Sequence, residues 1–132
     1  MHEVSDMAIR VRNALQRKRS DVLLKNTKLS QNIATVLKEE GFIEDFQVIQ
    51  NLKSTQDDLK IILKYIGKKQ KPSLTHFQPV SKPSLRVYRS TKTLPRILGG
   101  MGVTILSTPK GVLTQNEAKA QGVGGEVLCY VW

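Results

Sequence analysis

The sequence predicts an α+β fold in two parts: an N-terminal α/β domain that carries a β-hairpin, and a C-terminal, mostly β domain with one short helix. Three observations predict it. Apolar residues recur at helical spacing twice within the first 40 residues. Between residues 46 and 65 the apolar pattern changes to strict alternation. Beyond a Gly- and Pro-bracketed run of lysines, short alternating segments follow one another, separated by turn residues.

Residues 6–18 read as an amphipathic helix, with Met7, Val11, Ala14 and Leu15 on one face and Ser5 or Asp6 as its cap. Arg10 and Arg17 are seven apart, as are Arg12 and Arg19, and the two pairs flank the apolar stripe on opposite sides. That geometry serves a solvated rim and a phosphate-contacting rim equally. Residues 20–29 are polar and read as a loop. A second helix is expected from about Ser30, as N-cap, to Glu40; it buries Ile33, Val36 and Leu37, and Gly41 suits a left-handed end. Phe46–Gln50 and Leu59–Tyr65 read as an antiparallel hairpin across the turn Asn51–Asp58. Gly67–Pro72 holds three lysines and nothing to bury, so it reads as a basic linker, either solvated or phosphate-binding. The expected division is therefore 1–66, linker 67–72, and 73–132.

In the second half, Val80–Pro83 is extended because of its proline. Leu85, Val87 and Arg89 alternate with Arg86 and Tyr88. Leu94–Leu98 is at most a helical turn, and Gly99–Gly102 breaks the chain before a strand at Val103–Leu106. After a loop at Ser107–Gly111, Thr114 can cap a short helix over 115–120. A last strand, Glu126–Trp132, puts Val127, Cys129 and Val131 on one side. Cys129 is expected to lie buried between this strand and the short helix.

Charge narrows the function. Twenty-one Lys and Arg face 11 Asp and Glu, a net charge of +10, and a compact chain holding that much like charge calls for a polyanionic partner. The excess is uneven. Residues 1–28 are net +4, residues 29–66 net −2 and residues 67–132 net +8. Two contact surfaces around a near-neutral packing segment follow from that. One cysteine allows no disulfide framework. No apolar run reaches the ~18 residues of a membrane span. No signal-type apolar stretch is seen at the start, which predicts a protein made and used in one compartment.

Catalysis is not expected. His2 and His76 are the two histidines, and with one cysteine they make no zinc set. Cys129 sits in an apolar alternating segment and reads as an inert thiol. Gly99–Gly102 precedes a strand instead of opening a helix, so it reads as a turn and not as a dinucleotide loop. No enzyme, cofactor, metal site or small-molecule substrate is expected.

From Ser107-Thr-Pro-Lys-Gly111 onward the residues match a known pattern. The matching segments are Leu94–Gly102, Ile105–Thr114 and Gly122–Trp132. Earlier matches are Ser5–Met7, Arg10–Asn13, Leu37–Ile43 and Val80–Tyr88. In this order and over nearly the whole chain they resemble the family of the eighth protein of the small ribosomal subunit, of bacterial and plastid type. The resemblance implies a non-catalytic constituent that binds the central domain of small-subunit ribosomal RNA early in assembly, beside neighbouring small-subunit proteins. It implies no membrane partner.

The resemblance places a specificity loop at Ser107, Thr108, Lys110 and Gly111, entering the minor-groove side of an irregular RNA helix. It adds Tyr88 with Arg86 on one strand, and the turn Gly124-Gly125-Glu126. Arg10, Arg12 and Arg17 are expected at phosphates. Small hydroxyl residues and close backbone suit the shallow groove of A-form RNA, and 5% aromatics argues against a single-strand stacking platform. Three positions depart from the family pattern. Pro109 stands for a serine of the loop, Ser84 for a glycine before Leu85, and Gln115-Asn116 for an Asp-Arg pair. Features at Pro95–Gly102 and Cys129–Trp132 resemble plastid members, so a plastid stroma is expected, with a bacterial cytoplasm as the alternative. A basic adaptor for acidic proteins or anionic surfaces is the alternative function.

Overall fold

A computed structural model describes residues 3–81, 86–90 and 102–132. The expectations for Leu85, Leu94–Leu98 and most of Gly99–Gly102 lie outside these residues. Helix α1 spans Glu3–Gln16 and buries Val4, Met7, Ala8, Val11 and Ala14. The residues expected to form a loop after it instead hold a strand, β1, Asp21–Lys25. Five residues with charges at both ends hide their period, and only pairing with a neighbour makes them a strand. Helix α2, Lys28–Glu39, is capped by Thr27 and not by Ser30. Ser30 is the third helical residue: its N–H donates to Thr27 Oγ1 at 3.0 Å and its Oγ accepts from Thr27 N–H at 2.9 Å.

Strand β2, Ile43–Ile49, and strand β3, Asp58–Leu63, form the expected hairpin, and β1 pairs the free side of β3. The sheet order β1-β3-β2 buries Leu59, Ile61 and Leu63 beneath the two helices. The segment read as a basic linker is structured. Strand β4, Tyr65–Ile66, pairs with β5, Lys71–Pro72, around a turn whose Gln70 N–H donates to Gly67 O. Gly67 takes φ +76 there and Gln70 φ +51. Two flanking glycine and proline signals therefore mark a hairpin turn as readily as a linker.

The second sheet is centred on the last strand. Its members are β6, Phe77–Pro79; β7, Tyr88–Arg89; β8, Val103–Thr108; β9, Gly111–Thr114; and β10, Gly125–Val131. β6 and β7 share one edge of β10 end to end, β8 takes the other edge, and β9 lies beyond β8. Thr114 caps helix α3, Gln115–Gln121, in a capping box with Glu117, as the sequence predicts. A bulge in β10 between Val127 and Cys129 alters the expected alternation. Val127 turns toward Leu106, Leu113 and Ala118 beneath α3, whereas Leu128, Cys129 and Val131 join the cluster of α1, α2 and the first sheet. Cys129 is thus fully buried, but against the N-terminal half and not against the short helix, and burial raises its thiol far above the ordinary range. One apolar cluster runs through both halves of the chain.

Candidate nucleic-acid interface

The sheet register assembles the interface. Glu126 pairs with Tyr88 on one side and with Ser107 on the other, and Ser107 pairs with Val112. Directly opposed residues of antiparallel strands share a face, so Tyr88, Glu126 and Ser107 stand in one row. The next row runs through Arg89 and Gly125, with Thr108 and Gly111 beside it. Nine positions named from the sequence, Arg86, Tyr88, Ser107, Thr108, Lys110, Gly111, Gly124, Gly125 and Glu126, therefore meet at one end of one sheet.

Each of them has a local cause. β7 is held by buried Ser81, whose Oγ accepts from Val87 N–H at 2.9 Å, while Val87 O accepts from Val127 N–H at 2.8 Å. Tyr88 is left 64% exposed. The Arg86 guanidinium donates to Glu126 Oε2 at 2.9 Å. Glu126 is the better covered partner, with its side chain 17% exposed against 47% for Arg86, so the carboxylate orients the arginine. Gly125 is required by crowding: a Cβ there would stand 2.1 Å from Ser107 O. At Gly124 a Cβ would stand 2.4 Å from Arg89 O. The two glycines let β7 and β8 close on β10.

The expected Ser107–Gly111 loop is a two-residue hairpin turn, Pro109-Lys110, between paired Thr108 and Gly111. The mirror-image turns favoured in such hairpins need positive φ at their first residue, which proline cannot adopt. Pro109 instead suits the first corner of an ordinary turn, where its lost N–H has no ladder partner, and Gly111 absorbs the mismatch at φ +113. Thr108 Oγ1 donates to Gly111 O at 2.8 Å and accepts from Lys110 N–H at 3.2 Å. Its proton is therefore spent inside the turn. The Ser107 hydroxyl makes no hydrogen bond within the described residues, and Lys110 is exposed at the tip.

The N-terminal arginines do not form one group. Arg10 and Arg17 line a cleft of about 330 Å³ between α1 and β1, together with Asn13 and Arg19. Arg12 is exposed but lies off it. Arg10 is partly neutralised by Asp6 at 3.1 Å. Arg19 belongs to this cleft although it was not among the residues assigned to RNA; the run Arg17-Lys18-Arg19 after the apolar stripe was its signal.

Exposed cations, a free hydroxyl and close-packed backbone form a surface that can hold a polyanion. Among the described residues no group of three His, Cys, Asp or Glu could hold a metal, and no helix is long and apolar enough to cross a membrane. The surface is of the kind a polyanion-binding protein presents.

Comparison with known proteins gives the family. The model of ribosomal protein S8 matches residues 2–132, and the chain belongs to that family. It is similar to the small ribosomal subunit protein uS8 of Microcystis aeruginosa, 48% identical over 98% of this chain and 96% of the relative. The uS8c of Rhodomonas salina is 48% identical and the uS8 of Crocosphaera subtropica 49%, each over 98% of this chain and 96% of the relative. The family is one of structural, non-enzymatic ribosome components, and the chain is one of them.

Proposed function

We propose that the chain binds the central domain of small-subunit ribosomal RNA directly and supports assembly of the subunit, in a plastid ribosome beside neighbouring small-subunit proteins. The observation that carries this is the convergence of nine sequence-assigned residues on one sheet end. In this reading Ser107 and the backbone around Gly111 approach the shallow groove. Tyr88 offers a stacking face, and Arg86, aimed by Glu126, and Lys110 meet phosphates. Gly124 and Gly125 serve by letting the strands close. Arg10, Arg12 and Arg17 meet phosphates elsewhere on the RNA. The division into 1–66 and 73–132 is then one of labour, with base and shape readout in the second part. uS8c relatives from Rhodomonas salina and Pyropia yezoensis support the plastid assignment, and cyanobacterial relatives of similar identity support the bacterial alternative.

A salt titration against a central-domain RNA fragment and a scrambled RNA tests this. Ser107→Ala should weaken the cognate RNA by roughly tenfold, the worth of one good hydrogen bond of ~1.4 kcal/mol, and leave the scrambled RNA unchanged. Neutralising Arg10, Arg12 and Arg17 should weaken both and flatten the salt dependence. Equal losses on both RNAs for Ser107→Ala would refute the readout. Wild-type preference for anionic vesicles over either RNA would favour the adaptor.

A further inference from the structure

We infer that the outer edge of β2 is a docking edge for another protein, which adds an extended segment of alternating apolar and basic residues to the first sheet. β2 is the end strand of the order β1-β3-β2, and among the described residues no strand pairs its outer side. In an antiparallel ladder, consecutive residues turn their N–H and C=O alternately toward one neighbour and toward the other. Leu63 N–H donates to Ser20 O at 2.9 Å, so Leu63, Ile61 and Leu59 face β1. Ile62, Lys60 and Asp58 then bond β2, through their partners Asp45, Gln47 and Ile49. The residues between, Phe46 and Val48, turn their backbone groups outward. Phe46 N–H bears this out, because it donates to Asp45 Oδ1, a side chain of its own strand, at 2.7 Å.

Exposed edges are ordinarily guarded by a lysine, a proline, a bulge or sheer shortness. β2 has a bulge at its start, between Ile43 and Asp45, and none of these guards from Asp45 to Ile49. The opposite edge strand, β1, carries Lys25 and lines the arginine cleft. Apolar side chains gather at the unguarded end. Val48 pairs with fully buried Leu59 on the helix-covered face, yet is 44% exposed, so the helix layer stops short of it. Ile49 stands 37% exposed on the open face, and Leu52, in the turn that follows, 89%. Three of the seven exposed large hydrophobics among the described residues thus fall between Val48 and Leu52, which marks this end as a place for a partner and not for water.

Charge selects the occupant. Residues 43–59 carry Glu44, Asp45, Asp57 and Asp58 against Lys53 alone, in a chain of net charge +10. Glu44 and Asp57 are exposed and have no ion pair among the described residues. A phosphate backbone is repelled by such a stretch. A second copy of the chain would bring a large like charge with it. A basic segment of a different protein is attracted. Its backbone would bond Val48 N–H and C=O and Phe46 C=O, its apolar side chains would cover Val48, Ile49 and Leu52, and its cations would reach Glu44 and Asp57. Asp45–Ile49 is roughly 15 Å long, enough to seat about five residues of an added strand.

Docking at this edge does not depend on RNA binding by the second sheet, so the test starts from full-length protein without RNA. The protein is titrated with a short fluorescent peptide in which valine and lysine alternate, and with a control in which glutamate replaces lysine. Amide hydrogen exchange is followed by NMR. Wild type should bind the lysine peptide at least roughly tenfold more tightly than the glutamate one. In the free protein Val48 N–H should exchange fast beside slow Gln47 and Ile49, and the lysine peptide should slow it. Val48→Pro removes the outward N–H at a position where proline loses no ladder bond, and should weaken the peptide roughly tenfold or more. Ile49→Lys, at an exposed site, should do the same and serves where the proline variant does not fold. No binding of the lysine peptide, equal binding of both peptides, undiminished binding by Ile49→Lys, or slow exchange of Val48 in the free protein would overturn the docking edge. So would protection of Val48 by a central-domain RNA fragment in place of the peptide, or by self-association as the protein is concentrated.

Discussion

Gly125 is the most exacting position in the interface, and replacing it tests the assembly of the whole sheet end. An alanine there brings a Cβ to 2.1 Å from Ser107 O and 3.1 Å from the Thr108 Cα. Both obstacles are backbone, so no rotamer change relieves them. β8 must move away from β10 where Glu126 pairs with Ser107, and the β10–β7 pairing is disturbed on the other edge. Overpacking costs about 1–3 kcal/mol, and a backbone obstacle places this case near ~3 kcal/mol. Gly122, three residues earlier, is the internal control. It has φ +68 and nothing within 4 Å of a Cβ, so its alanine variant carries only a left-handed cost of about 1 kcal/mol. The two glycines should also differ in rescue. Asparagine tolerates the left-handed region and should be milder than alanine at Gly122. At Gly125 it should be harsher, because crowding and not φ is the obstacle. Urea unfolding at equal slope gives all four differences. A Gly125→Ala variant within ~0.5 kcal/mol of wild type, or one rescued by asparagine, would show that the strands do not close at this point as described.

Two further changes follow from the same kind of reasoning. Lys18→Gly relieves a left-handed lysine at the end of α1. It should raise stability by roughly 0.5–1 kcal/mol in thermal unfolding, and an unchanged or lower stability would show that the lysine carries no left-handed cost there. The Glu40 carboxyl, in the cap of α2, is raised above its ordinary pKa by partial burial and by Glu117 and Glu39. A raised carboxylate binds protons more tightly in the folded state, so stability falls as pH climbs through and just above the unfolded carboxylate value. Glu40→Gln should therefore stabilise the protein at neutral pH, by roughly 0.3–1 kcal/mol from the helix dipole alone. That gain should vanish below about pH 4, and a gain independent of pH would rule out the charge as its source.

The helices, the β2–β3 hairpin and the capping box at Thr114 were legible because each signal is local: an apolar period, a cap residue, a glutamate three positions on. Family resemblance named residues that the fold brings to one sheet end, but the geometry that brings them there was not legible. Nothing near Glu126 in sequence says that Tyr88 and Ser107 flank it, because that row is made by pairing between strands 38 and 19 residues away. Strand β1 was missed for a related reason, since DVLLK becomes a strand only against β3. The bulge at Val127–Cys129 shows the limit of alternation, because one extra residue moved Val127 to the other core. Gln115 shows the limit of reading substitutions by charge. Set in place of an acidic residue of the family pattern, it accepts from Thr104 N–H at 2.7 Å and donates to Gly102 O at 3.3 Å, so it caps the start of β8.

The lysine hairpin and the Arg17–Arg19 turn belong with these long-range features. Each is an ordinary solvated charge run when read alone, and the hydrogen bond from Tyr65 to Arg19 makes them one surface. The uneven spread of the net charge of +10 in sequence thereby becomes a spatial one, with Arg17, Lys18, Arg19, Lys68, Lys69 and Lys71 exposed on joined turns and without an acidic partner among the described residues.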